Sequence, residues 1–147
     1  MKYNNYFKLT IPALSRNESF ARAAVSAFVT QLDPLVSQLA DIKAAVSEAV
    51  TNCIVHAYGD SDQSGKIDIT ARLTEDLVYI KIKDNGCGIE DIKQAMEPLF
   101  TTKPEEERSG LGFAVMESCS DKVRVASKRG KGTTVTLTFK VSKKAVI

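Results

Sequence analysis

The run VYIKIKD, Val78 to Asp84, alternates apolar and polar residues and then breaks into DNGCG, Asp84 to Gly88. A period of two makes a strand with one buried face, and a short acid with two glycines directly after it makes a turn leaving that strand. Glycines there let the backbone approach a ligand closely, although Gly86 and Gly88 also suit a plain turn.

The rest of the chain divides by periodicity. Tyr6 to Ile11 reads as a strand ended by Pro12, and Asn17 to Phe28 as a first helix capped by Ser15 or Asn17. After Asp33 and Pro34, a longer helix is expected from Ser37 to His56, with Leu39, Ile42, Val46, Ala49, Val50 and Cys53 as its buried stripe. GDSDQSG, Gly59 to Gly65, is a turn; Ile67 to Leu73 and Leu77 to Ile82 form a hairpin about Thr74 to Asp76. A short helix from Ile89 to Met96 stops at Pro98, and TTKPEEERSG, Thr101 to Gly110, reads as a mobile lid. Leu111 to Cys119 is a helix, and Val123 to Ser127 with Thr133 to Val141 is a closing hairpin across RGKG. Helices cluster early and paired strands late, which predicts an α/β two-layer sandwich with helices on one sheet face.

Size and charge exclude several classes. A chain of 147 residues with 44% hydrophobic content suits one domain, 1–147, with a core of its own. The net charge of +2 is small and Lys and Arg form no block, so nucleic acid is not the expected partner. Cys53, Cys87 and Cys119 have no metal-like spacing and His56 is the only histidine, which fits a reducing interior. No apolar run resembles a signal peptide or a membrane span, so a cytoplasmic protein is expected.

Four stretches read together as a nucleotide pocket: SEAVTNCIVH (Ser47 to His56), DNGCG, ERSGLG (Glu107 to Gly112) and GKGTT (Gly130 to Thr134). Glu48, Asn52 and His56 recur every four residues and line one helix face. SGLGFAV places glycines ahead of an apolar helical run, where unpaired helix N–H groups receive phosphate oxygens. There is no GxxxxGK[ST] P-loop and no HRD or DFG stretch.

The order and content of these stretches resemble the GHKL (Bergerat-fold) ATPase and kinase superfamily, and within it the small serine-kinase anti-sigma factors of sporulating bacteria. The resemblance runs from FKLTIPALSRNESFAR (Phe7 to Arg22) through EAVTNCIVHAY and LFTTKPEEERSGLGF to the terminal GTTVTL. It implies a mixed, mainly antiparallel sheet, ATP or ADP with Mg2+ as ligands, a homodimer, and two protein partners. These are a sporulation sigma factor, which is held inactive, and an anti-anti-sigma factor, which is phosphorylated on a serine.

Site roles follow from chemistry and resemblance together. A carboxylate on a rigid helix is able to accept the proton of an attacking hydroxyl, the role that the resemblance gives Glu48; taken alone, Glu48 reads more readily as a solvated glutamate. Asn52 offers one neutral oxygen to Mg2+, which keeps waters and phosphate oxygens as its other ligands. By resemblance Asp84 reads the adenine amino group, with Gly86 and Gly88 beneath the base and Thr133 as second support. Backbone amides from Ser109 through Gly110 and Leu111 to Gly112 hold the phosphates, with Lys103 and Arg108 as nearby cations. Arg22 is the implied sigma contact, and Glu107 and Arg108 meet the serine-bearing partner. His56 either supports the pocket or is a partly buried histidine.

Rival readings are a stress-response anti-sigma kinase of the same family, an ATP-gated binding module without turnover, and a histidine-kinase fragment. The last would need a dimerisation helix pair ahead of the Glu48 helix, where only about 40 residues stand.

Overall fold

A computed structural model describes residues 4–57, 65–89, 96 and 112–142. The elements are β1 (Asn5–Pro12), α1 (Asn17–Val29), a 3-10 turn (Thr30–Leu32), α2 (Val36–Asn52), a π turn (Cys53–Ala57), β2 (Lys66–Leu73), β3 (Leu77–Asp84), α3 (Gly112–Cys119), β4 (Lys122–Lys128) and β5 (Gly132–Lys140). The strands form a five-stranded sheet in the order β1-β2-β3-β5-β4. Each described pairing is antiparallel.

Alternation along each strand sorts the sheet into two faces. One inner row runs Leu9, Ile69, Ile82, Val135, Val125, and the next Phe7, Ala71, Ile80, Leu137, Val123. Against these rows α2 buries Ile42, Ala45, Val46, Ala49 and Val50, the π turn buries Cys53, α1 buries Ala21, Val25 and Val29, and α3 buries Met116. Leu39 is only partly buried and packs at the margin of this core. Each fully buried Val, Ile or Leu contributes about 1.5–3 kcal/mol, so this interface is the main source of stability. Phe7 and Phe28 meet edge to face at 4.8 Å and tie the outer strand to α1. The outward rows carry Lys8, Lys81, Lys83, Arg124 and threonines, the solvated side of an antiparallel sheet.

Two local expectations are corrected. The first helix has Arg16 at its N-cap with no side-chain cap, because Asn17 lies inside the helix and turns its amide to the Pro12 carbonyl at 3.0 Å. Ser15 contributes its carbonyl, which accepts from the Glu18 amide. The second helix is α-helical only to Asn52 and widens into a π turn through Ala57. There Cys87 uses the last carbonyls, its amide donating to Ala57 at 2.9 Å and its thiol to His56 at 3.2 Å. At the other end of α2, the Gln38 side chain accepts from the Leu35 amide at 3.1 Å, half of a capping box.

Candidate functional site

The inner face of the sheet changes character at its last rung. Ile11 pairs with Ile67 and Ile67 with Asp84; one ladder step beyond the Lys83–Thr134 pair stands Thr133, which pairs with Ser127. Apolar on β1 and β2, this rung is polar on β3, β5 and β4. Asp84 is 5% exposed, the one acid in the buried set of described residues. Its Oδ1 accepts from the Gly86 amide at 3.0 Å and from the Thr133 amide at 3.2 Å. Burial pushes its carboxyl above the ordinary aspartate value, while hydrogen bonds from Gly86, Cys53 and Thr133 pull it back.

Ser127 is the second centre of the rung and was not singled out in the sequence. Its hydroxyl accepts from the Ile89 amide at 2.7 Å, donates to the Gly132 carbonyl at 3.1 Å, and meets the Thr133 hydroxyl at 2.8 Å. A serine at an inward position, in phase with Val123 and Val125, was the available signal.

The glycines of DNGCG are explained by contact with protein backbone. A Cβ at Gly86 would lie 2.2 Å from the Ala57 carbonyl oxygen, and one at Gly88, where φ is +77°, 2.3 Å from that of Lys128. Only glycine allows the β3 turn to sit between the π turn and the β4–β5 turn. The Gly130 amide adds a bond to the Cys87 carbonyl at 2.6 Å.

Glu48 and Asn52 lie one turn apart on α2, both half-buried. His56 lies beyond the change of helix type and contributes its carbonyl to Cys87. Burial raises the Cys119 thiol, and the negative charges of Asp41 and Glu48 raise it further. Ser118 and Cys119 line a cavity of about 230 Å³ with Gln38, Asp41 and Ile42, so the C-terminal end of α3 meets the first turns of α2. The helix start at Gly112 is buried and has no acid in its first turn.

Arg22 is exposed enough to meet a partner but is not isolated. Its Nε lies 3.7 Å from Glu18 Oε1, and the same oxygen accepts from the Ser47 hydroxyl at 2.5 Å. A polar chain therefore joins Arg22 on α1 to the residue preceding Glu48.

Of the sequence-predicted residues, the structure brings Asp84, Gly86, Gly88 and Thr133 together and places Glu48 and Asn52 on the helix above. Lys103, Glu107, Arg108, Ser109, Gly110 and Leu111 lie outside the described residues, as do the lid and the interior of the expected Ile89–Met96 helix. Among the described residues no group of three or more His, Cys, Asp or Glu suits a metal ion. The lone Asn52 oxygen fits an ion whose other ligands come with the nucleotide. No helix of the described residues is long and apolar enough to cross a membrane.

An antiparallel sheet with helices on one face, a strand ending in a buried aspartate and a glycine turn, and a helix carrying Glu48 and Asn52 define a nucleotide-binding ATPase domain. The chain belongs to the histidine kinase-like ATPase domain family, whose pattern matches residues 11–139. Within that family its relatives include anti-sigma F factors. It is 52% identical over 138 residues to the anti-sigma F factor of Caldanaerobacter subterraneus subsp. tengcongensis, covering 94% of this chain and 95% of the relative. With that of Clostridium perfringens it shares 50% over 139 residues, covering 95% and 99%. Among solved structures it is similar to the RsbU and RsbW domains of a Mycobacterium tuberculosis protein, with TM-score 0.70 and 24% identity over 97% of this chain and 33% of that one. The catalytic domain of histidine kinase ThkA has TM-score 0.58 and 16% identity over 93% and 96%. At these identities the two structures speak for the fold alone.

Proposed function

We propose that the chain is a one-domain, ATP-dependent protein serine kinase and anti-sigma factor. It binds and inhibits a sporulation sigma factor, and phosphorylates a serine on that factor's anti-anti-sigma partner. The observation that carries this reading is the polar end of the inner sheet face, where an oriented carboxylate stands below the helix of Glu48 and Asn52. It acts as a cytoplasmic homodimer with no direct nucleic-acid or membrane partner.

In this reading Asp84 accepts a hydrogen bond from the adenine amino group, and Thr133 supports the base side. The amide end of α3 at Gly112, with Ser109, Gly110 and Leu111, receives the phosphates. Lys103 and Arg108 supply positive charge. Glu48 accepts the proton of the substrate serine as its oxygen bonds to the terminal phosphorus and the bond to the bridging oxygen breaks, leaving ADP. Asn52 would hold Mg2+ together with phosphate oxygens, and the ion would supply positive charge beside the transferred group. Arg22 contacts sigma, and Glu107 and Arg108 contact the serine-bearing partner.

Capture from native lysate in ATP and then in ADP, with radiolabel transfer to the captured proteins, tests the whole reading. A sigma factor held in ATP and a small protein labelled on serine are the expected results. Arg22→Ala should weaken the first more than the second, and Arg108→Ala the reverse. Absence of any labelled protein, with sigma captured equally without nucleotide, would refute the kinase.

A further inference from the structure

We propose that Ser127 is a positioning residue for the nucleotide: it accepts a hydrogen bond from the Thr133 hydroxyl, so that Thr133 offers the base acceptor capacity only. The inference rests on the assignment of Thr133 to the base side, and deepens it. Ser127 stands on β4 in phase with Val123 and Val125 and is the direct cross-strand partner of Thr133 on β5. The Thr133 amide donates to Asp84 Oδ1 at 3.2 Å, so Thr133 is fixed on one side by the carboxylate of β3 and on the other by Ser127. Thr133 is 9% exposed, which leaves its hydroxyl little water to turn toward.

Donor and acceptor capacity sets the direction of the bond between the two hydroxyls. A serine hydroxyl carries one proton and two lone pairs. The Ser127 oxygen lies 2.7 Å from the Ile89 amide, which only donates, and 3.1 Å from the Gly132 carbonyl, which only accepts. The serine proton therefore serves Gly132, and one lone pair serves Ile89. Every contact of this hydroxyl is a hydrogen bond at once only when Thr133, 2.8 Å away, donates to the remaining lone pair. Reversing that bond would take the serine proton from the Gly132 carbonyl and leave a lone pair of Ser127 idle. With its proton spent on Ser127, Thr133 keeps lone pairs and no donor for the pocket. That arrangement suits the amino group of adenine and opposes a carbonyl oxygen at the same place. It acts in the same sense as Asp84, from the neighbouring strand.

The test compares Ser127→Ala and Ser127→Val, which remove the acceptor, with Ser127→Thr, which has the shape of valine and keeps the hydroxyl. Calorimetry measures affinities for three probes: ATP; inosine triphosphate, whose base carries a carbonyl oxygen in place of the amino group; and purine riboside triphosphate, whose base carries neither. Thermal midpoints identify any variant that fails to fold. In Ser127→Ala and Ser127→Val the Thr133 hydroxyl turns freely, so the ATP Kd should rise about three- to tenfold. Inosine triphosphate should not bind more weakly, because the freed hydroxyl donates to its carbonyl, and purine riboside triphosphate should stay within about twofold. Ser127→Thr should keep the parent ratio of ATP to inosine triphosphate affinity. Folded Ala and Val variants with the parent ratio would overturn the proposal, as would equal losses of all three nucleotides, since Ser127 would then only hold the turn at Ile89. A folded Thr variant with the ratio of the Val variant would overturn it too. Thr133→Val separates the two levels, and in that background Ser127→Ala should change the ratio no further. If Thr133→Val leaves the ratio at the parent value, the base-side assignment of Thr133 falls and Ser127 with it; if it narrows the ratio while Ser127→Ala does not, Ser127 alone is removed.

Discussion

Asp84→Asn separates the work of this side chain in the fold from its work on the nucleotide. Asparagine retains an Oδ1, so the bonds from Gly86 at 3.0 Å and Thr133 at 3.2 Å persist. It also removes a charge whose burial raises the aspartate pKa, and the fold gives up nothing by losing that desolvation penalty. The ligand-free thermal midpoint should therefore stay or rise. The second carboxylate oxygen, however, becomes an NH2 group facing the adenine amino group, donor against donor. A hydrogen bond to a charged group contributes about 1.5–3 kcal/mol, which corresponds to an ATP affinity lower by about 10- to 150-fold. Guanine presents a carbonyl oxygen at the same place, so GTP should bind the variant better than the parent, in which it binds at least about tenfold worse than ATP. Calorimetric titrations with each nucleotide, beside thermal melts of the free proteins, measure both effects. ATP affinity within twofold of the parent refutes the base contact. Equal losses of ATP and GTP with a lowered midpoint would mean that Asp84 holds the turn and does not read the base.

Glu48→Gln should leave ATP affinity within a few fold but slow phosphoryl transfer about a hundredfold or more, whereas Asn52→Ala should damage magnesium-dependent ATP binding; label transfer at the parent rate in Glu48→Gln removes Glu48 from the chemistry. Gly86→Ala drives a Cβ to 2.2 Å from the Ala57 carbonyl oxygen, and a backbone clash of that depth should cost about 1–3 kcal/mol in denaturant titration and weaken ATP binding with it; parent stability would show that the π turn yields freely. Acidification has a definite sign. The folded pKa of Asp84 is raised mainly by burial, so its protonation favours the folded state as pH falls through the folded and then the unfolded value. The same protonation weakens the acceptor for adenine, so ATP affinity should begin to fall while the pH is still above the ordinary aspartate range, without a matching loss of stability from this group. Buffer-dependent calorimetry should show proton release on ATP binding in that window, and none in Asp84→Asn.

Much of the fold was legible because strand alternation and helix periodicity are local. The Leu77–Asp84 strand, its hairpin partner and the closing hairpin across RGKG stand where the period of two placed them. The errors fall where a distant segment intervenes. The π turn at Cys53–Ala57 is absent from the periodic pattern of α2, because the groups that take its carbonyls belong to Cys87, more than a β hairpin away in sequence. The first helix lacks its expected cap for a similar reason: the Asn17 amide is spent on Pro12, at the end of the preceding strand.

Ser127 shows why part of the site stayed hidden. A serine that follows Val123 and Val125 in phase reads as an ordinary strand residue, and only the register shows that it stands beside Thr133. Pairing Ile67 with Asp84 and Thr133 with Ser127 puts an acid and two hydroxyls at the end of an otherwise apolar face. Glycines at 86 and 88 bring the turn against the π turn and the β4–β5 turn, so the carboxylate is held by backbone from both sides before any ligand arrives. Its partners are amides that donate, so the carboxylate keeps acceptor capacity. On the proposed assignment of Asp84 to the base, selectivity for an amino group over a carbonyl is set by the same pairings that stabilise the fold.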